Sequence, residues 1–346
     1  MSGPVRVTMS DVARSAGVSA QTVSRVLSKP DLVQPVTKAK VLAAVAALGY
    51  RRNAAASALA TRMSRRIGII DSGSVLPAQF AMLTTIQMEA SATGYFASLA
   101  VATEENERGV AIALDQLLSQ NIEGLVVMGN PTALADAARE VAGELPVVIL
   151  SSTATDDPPT MLHVGVDQGQ GARLAVAHLA DLGRERIGHV TGPIGWHDAF
   201  EREKGWMREL SSRSLVQLAP IPGDWTGASG YRAVAGLLES GVDAVFAAND
   251  GIALGVIYGL AERGVRVPED VAVIGFDDLP DAAYYRPSLS TIRQDFRAVG
   301  QRTIRELVRA MNHQPARDHL VEPELVVRHS TVGSTTNQAT FVPDGA

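Results

Sequence analysis

Between Thr8 and Leu27 the chain reads TMSDVARSAGVSAQTVSRVL, two helix-length segments with only GVS between them. Thr8 with Asp11 gives the reciprocal start signal of a capped helix, and Gly17 is the residue that ends one. Ser19 is placed to cap the second segment, AQTVSRVL. Pro35 suits the first position of a third helix that closes at Gly49. Val12, Ala13 and Ala16, then Val23, Val26 and Leu27, then Val41, Val45 and Leu48 supply three apolar faces for one small core. Two short helices joined by a three-residue glycine turn leave few options, and the foremost is a helix-turn-helix.

Charge supports that reading. Residues 1–66 hold eleven Lys/Arg against two Asp/Glu, a net of +9, while the remainder carries a net of −15 within an overall −6. A small basic module on an acidic body suggests a head that binds a polyanion. The alternative, a solvated basic tail, has no need of three helical faces.

In a helix-turn-helix the second helix enters the major groove with its first turn toward the base edges. Ala20, Gln21 and Arg25 fall on the face away from Val23 and Val26. Gln pairs bidentately with adenine and Arg with guanine, while a small Ala admits a thymine methyl. Thr8, Ser24 and Ser28 are placed to bond phosphate oxygens, which fixes register without reading sequence. Ser19 and Thr22 complete this candidate DNA-facing set. Gln21 and Arg25 read only as exposed polar residues would be the bland alternative.

From Arg66 onward, apolar runs alternate with amphipathic stretches. Strand candidates are IGII, FASLAVA, GLVVM, PVVIL, MLHVGV, RIGHVTG, AVFAAN, VAVIGFDD and LSTIRQD. Helix-like segments lie around 79–93, 106–120, 168–182, 197–211, 227–239, 251–263 and 295–312. This rhythm argues for parallel sheets covered on both faces. So many units exceed one comfortable sheet, so two doubly wound subdomains are expected, with ligand at the carboxyl ends of strands. Ser72, Asn249, Asp250, Asp277 and Asp278 stand at such ends, and Trp196, Asp198, Arg202 and Trp206 follow another strand. Carboxylates, amides and an arginine suit sugar hydroxyls, and an aromatic face suits the C–H side of the ring. Trp206 and Phe276, beside glycines, read as core, and Asp250 and Asp278 read equally as helix caps.

The segment TMSDVARSAGVSAQTVSRVL resembles the DNA-binding headpiece of the LacI/GalR family of bacterial repressors, and the likeness extends over nearly the whole chain. The resemblance implies an all-α helix-turn-helix headpiece followed by a periplasmic-binding-protein-like α/β core of two doubly wound parallel-sheet subdomains. It implies a headpiece over 1–50, a hinge helix and linker over 51–64, and a first core subdomain over 65–163 and 293–322. The second core subdomain covers 164–292 and 323–336, and a tail covers 337–346. Three crossovers between the subdomains follow, so closure over ligand moves one against the other. In this family the hinge helix orders on operator DNA, and a leucine from each of two chains wedges into a central base step of the minor groove. Leu59 holds that leucine's place, with Ala56 one turn earlier and Asn53 opening the segment. Alone, so short a run of Ala, Ser, Asn and Leu is a marginal helix. Arg52 stands where proline is usual, and Ser28 where asparagine is common.

The same resemblance carries effector roles onto Arg202 in REKGW, Asn249 and Asp277 for hydroxyls, and onto Trp225 and Phe296 as aromatics against the sugar. Ser72, Leu76 and Met82 match first-subdomain positions, and Ser151 stands where lactose-type members carry an aspartate. With Trp196 these form the candidate ligand set. The expected partners are double-stranded operator DNA, pseudo-palindromic with a central CpG step, a small sugar effector such as a galactoside or glucoside, and a second copy of the chain. The tail STTNQATFVPDGA lacks the apolar heptads of a tetramerising coiled coil, so a homodimer is expected.

An enzyme is the first rival. Gly169-x-Gly171 follows a strand, but Leu174 occupies the third glycine position of the dinucleotide fingerprint, and GxxxxGK[ST] and GxSxG are absent. There is no cysteine, and the histidines lack metal-ligand spacing, so no catalytic residue, metal or cofactor is assigned. A transporter's solute-binding protein is the second rival. The basic headpiece and an N-terminus without an apolar signal core count against it and point to the cytoplasm. A corepressor-dependent regulator that binds a non-sugar metabolite is the third. No apolar stretch reaches the ~20 residues of a membrane span.

Overall fold

The computed structural model describes residues 7–28, 30–51, 63–73, 76–102, 107–129, 132–152 and 160–333. Asn53, Ala56 and Leu59, with Arg52, lie outside the described residues. Two compact units divide the chain, residues 1–64 and 65–346.

The first unit holds α1 (Met9–Ala16), α2 (Ala20–Ser28) and α3 (Pro35–Leu48). Thr8 and Asp11 make both halves of the capping box: the Asp11 N–H donates to Thr8 Oγ1 at 3.3 Å, and the Thr8 N–H donates to Asp11 Oδ2 at 2.9 Å. Gly17 ends α1 at φ 66°, in the left-handed region that the reversal toward α2 requires. Ser19 Oγ accepts from the Thr22 N–H at 3.1 Å, starting α2. Val12, Ala13, Val23, Val26, Val41 and Ala44 close the core of this unit.

The second unit contains β1 (Arg66–Asp71), α4 (Pro77–Ala92), β2 (Phe96–Val101), α5 (Glu107–Leu118), β3 (Gly124–Met128), α6 (Thr132–Val141), β4 (Val147–Leu150) and β5 (Met161–Val166). It continues through α7 (Gln168–Asp181), β6 (Ile187–Val190), α8 (His197–Ser212), α9 (Gly227–Glu239), β7 (Ala244–Ala247), α10 (Asp250–Glu262) and β8 (Ala272–Ile274). Last come β9 (Thr291–Arg293), α11 (Phe296–Met311), β10 (His319–Val321), β11 (Glu324–Val326) and α12 (His329–Val332).

Two parallel sheets organise this unit. The first runs β10-β5-β4-β3-β1-β2 and the second β6-β7-β8. Every residue of β3 and of β5 is buried, because helices cover both faces of a parallel sheet. The edge strand β2 instead alternates buried and exposed positions. β9 and β11 pair antiparallel with each other, and single bridges link Ser290 to Ile274 and Arg293 to Asp277, continuing the second sheet. β5 lies wholly in the first sheet through Val166, so the chain leaves that sheet three residues beyond the 163/164 boundary expected from sequence. α11 packs on β3, β4 and β5, and β10 pairs with β5. The chain therefore passes between the sheets near 167, 294 and 322. Separate apolar clusters lie on the faces of the two sheets.

Candidate functional site

A cavity opens between the two sheets, near the carboxyl ends of β3, β4, β5, β7 and β8. Its empty space is about 800 Å³ counted to the mouth, open solvent included. The first sheet's side contributes Leu76, Met82, Ser151 and Phe296, and the second contributes Trp196, Arg202, Trp225, Asn249 and Asp277. Those nine are sequence-predicted residues. The tenth, Ser72, is buried against Gly129 and is not among the lining residues.

Arg202 is the centre of the polar wall. α8 carries it inward at 4 % exposure. Its Nε–H donates to Gln168 Oε1 at 2.8 Å, Nη1 donates to the Ala248 carbonyl, and Nη2 lies 3.7 Å from Asp277 Oδ1. Gln168 Nε2 donates to Gln294 Oε1 at 3.1 Å, and Gln294 Nε2 donates to Asp277 Oδ1 at 2.6 Å. Arg202, Gln168, Gln294 and Asp277 thus form a closed ring. Gln168 and Gln294 stand at two of the segments where the chain passes between sheets. Both were missed from sequence, because a lone glutamine opening a helix, like Gln168, or lying between a strand and a helix, like Gln294, carries no periodicity or motif.

The aromatic wall stacks around the same arginine. The guanidinium lies 3.8 Å from the centroid of Phe276 and 5.4 Å from that of Trp225. Trp196 meets Trp225 edge to face at 5.8 Å. Gly192 has no side chain because the Trp225 indole occupies the space a Cβ would take. Phe276 and Trp206 are fully buried, the core positions their neighbouring glycines suggested.

Asn249, and not Asp250, caps α10. Its Oδ1 accepts from the Ile252 N–H at 2.8 Å, and its Nδ2 donates to the Trp225 carbonyl at 3.1 Å. Asp250 is turned away, accepting from Thr291 Oγ1 at 2.6 Å and from the Leu279 N–H at 2.8 Å. Asp278 is not a cap either, because Arg293 and Arg328 both hold it at 2.7 Å.

Burial sets the electrostatics. It pushes Asp277 up to about 6, against the opposing pull of Arg202 and Gln294. It raises Asp250 further, helped by the charge of Asp277, and raises Asp198 against the pull of Arg202. Asp277 therefore binds a proton more tightly in the folded chain than unfolded, so its contribution to stability is lost as pH rises toward about 6. Ligand binding runs the other way. A hydroxyl that donates to ionised Asp277 favours the deprotonated form. Effector affinity is therefore expected to fall as pH drops through about 6, and calorimetric titrations at pH 5 and pH 7.5 check this.

On the first unit, Thr8, Ser19, Ala20, Gln21, Arg25 and Ser28 are exposed, and Thr22 and Ser24 are partly so. All lie off the Val12–Val23–Val41 core. Ser28 Oγ donates to the Ser24 carbonyl at 2.7 Å, and Thr8 Oγ1 donates to Asp11 Oδ2 at 2.7 Å, so each hydroxyl must exchange that bond to donate to a phosphate. Among the described residues no group of His, Asp and Glu is placed to hold a metal, and no helix is long and apolar enough to cross a membrane.

Residues 8–53 match the family of bacterial regulatory proteins described as lacI, and residues 176–331 match the periplasmic binding protein-like domain. The lactose operon repressor of Escherichia coli (strain K12) is 33% identical over 336 residues, spanning 96% of this chain and 93% of the relative. The chain belongs to the LacI family. The solved lac repressor dimer bound to operator and the anti-inducer ONPF superposes with a TM-score of 0.86 at 32% identity, over 95% of this chain and all of that one. The complex of the transcriptional regulator CelR with cellobiose gives 0.70 at 27% identity, over 94% of this chain and all of that one. As a LacI-family member the chain is a DNA-binding transcriptional regulator with an effector-binding domain, and not an enzyme.

Proposed function

We propose that this LacI-family regulator represses carbohydrate-use genes and is released from its operator by a small sugar held between the two core subdomains. The observation that carries this reading is the cavity's pairing of a hydroxyl-binding wall with an aromatic one. Arg202, Asp277, Asn249 and Gln294 offer forked donors, a carboxylate and amides, and Trp196, Trp225 and Phe296 offer flat apolar faces. Leu76 and Met82 add apolar surface, and Ser151 a hydroxyl. The related CelR structure holds cellobiose, which favours a glycoside of similar chemistry.

The chain acts as a homodimer in the cytoplasm, on a pseudo-palindromic operator with a central CpG step. Ala20, Gln21 and Arg25 read base edges, while Thr8, Ser19, Thr22, Ser24 and Ser28 contact the backbone. The hinge over 51–64, with Asn53 and Ala56, brings Leu59 to the minor groove. Residues 65–166 with the 294–322 segment form one half of the clamp, and the rest of the core forms the other. A sugar that binds closed and open arrangements with different affinity shifts the hinge spacing, because differential affinity is what moves such an equilibrium.

Selecting bound DNA from a random pool, with and without a panel of mono- and disaccharides, tests the reading. A two-fold symmetric site lost in the presence of one sugar supports it. A site tightened by a non-sugar metabolite supports the corepressor alternative instead. Leu59→Ala is expected to weaken specific operator binding, because the buried wedge and the bend that brings more surface into contact are lost, and to leave sugar affinity unchanged. Operator affinity equal to the native chain's would return Leu59 to the ordinary linker.

A further inference from the structure

We propose that Asp198 sets the charge and hydrogen-bonding selectivity of the cavity, so that it takes neutral, hydroxyl-donating effectors and rejects their phosphorylated or carboxylated derivatives. This rests on the reading of the cavity as the effector site.

Asp198 is the second residue of α8 and lines the cavity. An acidic residue in a helix's first turn has a ready explanation in the helix dipole. That explanation leaves its Oδ1 unused, because this atom is buried and accepts no hydrogen bond. Three more buried polar atoms on lining residues share that condition: Gln79 Oε1 and Ser152 Oγ on the first sheet's side, and Trp225 Nε1 on the second's. Buried polar groups without partners are rare enough to require a cause, and a ligand between the walls supplies one. Asp198 and Gln79 are acceptors, Ser152 is either, and only Trp225 must donate. The complementary ligand therefore presents hydroxyl hydrogens to both subdomains and one acceptor to the indole.

Charge narrows the class further. Among the described lining residues only Arg202, Asp198 and Asp277 are charged. The arginine's charge is already set against Asp277, and its Nε and Nη1 donate to Gln168 and the Ala248 carbonyl, which leaves N–H donors for a neutral hydroxyl but no surplus charge for an anion. Among the described lining residues a ligand phosphate or carboxylate would thus meet two carboxylates and one arginine already paired with Asp277, and like charges brought together in a buried site repel.

Calorimetric titration of the full chain tests the proposal with neutral and phosphorylated pairs. The pairs are methyl β-D-galactoside and methyl β-D-glucoside with their 6-phosphates, and hypoxanthine with its mononucleotide. In the native chain one neutral glycoside is expected to bind, with its 6-phosphate at least 100-fold weaker. Asp198→Asn is expected to weaken the neutral glycoside about fivefold and to narrow that ratio at least tenfold, which a merely structural role would not do. Asp198→Ser serves the same purpose if the asparagine variant melts early. An unchanged ratio in a folded variant, or equal native binding of sugar and sugar phosphate, overturns the proposal. Binding of hypoxanthine in place of every sugar overturns the sugar reading alone. The ratio of base to nucleotide then decides the role of Asp198 by the same criterion. Binding of none of the probes overturns both.

Discussion

Arg202→Ala is expected to abolish the response to effector. The side chain is almost completely buried, and its removal strips Asp277 of its cation, Gln168 of a donor and two aromatic faces of their partner. Breaking a buried pair by deleting one partner costs roughly 3–5 kcal/mol, because the remaining charge is left uncompensated. Protonation relieves part of that, since burial already holds Asp277 near 6 and loss of the guanidinium raises it further. Effector affinity is expected to fall at least 100-fold, with a thermal midpoint lowered by several degrees. Operator binding without effector stays near native, measured by anisotropy at fixed salt. Arg202→Lys keeps a charge but not the fork that serves Gln168, Ala248 and Asp277 together, so it falls between the two. Loss of operator binding with intact sugar binding would remove Arg202 from the effector site.

The second large effect belongs to the headpiece. Gln21 and Arg25 are exposed on α2 while Val23 and Val26 are buried. Each bidentate base contact is worth about 1–3 kcal/mol of discrimination. The double variant Gln21→Ala, Arg25→Ala is therefore expected to lose roughly thirtyfold to ten-thousandfold in specific operator affinity. Binding to random DNA, which depends on the Lys/Arg count, changes little. Competition titrations at two salt concentrations separate the two. A uniform loss on all sequences, with a salt slope reduced by about one, would make Arg25 a phosphate contact and not a base reader.

Much of this was legible in the sequence because the residues concerned obey local rules. The capping box at Thr8 and Asp11, the left-handed Gly17 and the fully apolar runs of β3 and β5 require no knowledge of distant partners. What was missed depends on such partners. The helix over Thr132–Val141 is short and alanine-rich, and its described buried residues form a narrow stripe through Leu134, Ala138 and Val141. β10 and β11 are three residues each, too short for any alternation to show. Asn249 and Asp250 are adjacent and equally able to cap. The choice between them is made by Thr291 and Leu279, which draw Asp250 away. Gln168 and Gln294 are joined only because two chain crossings meet beside Arg202. Ser72 sits at a strand end as expected, yet Gly129 and not Ser72 reaches the cavity.

Coupling between the cavity and DNA is the central claim, and one titration addresses it most directly. A labelled operator obtained by selection is saturated with the full chain, and anisotropy is followed as the best-binding sugar of the panel is added. The account predicts that the native complex dissociates over the same concentration range in which the sugar fills the cavity, while the Arg202→Ala complex stays bound throughout. A native complex that holds the operator unchanged at saturating sugar would contradict it.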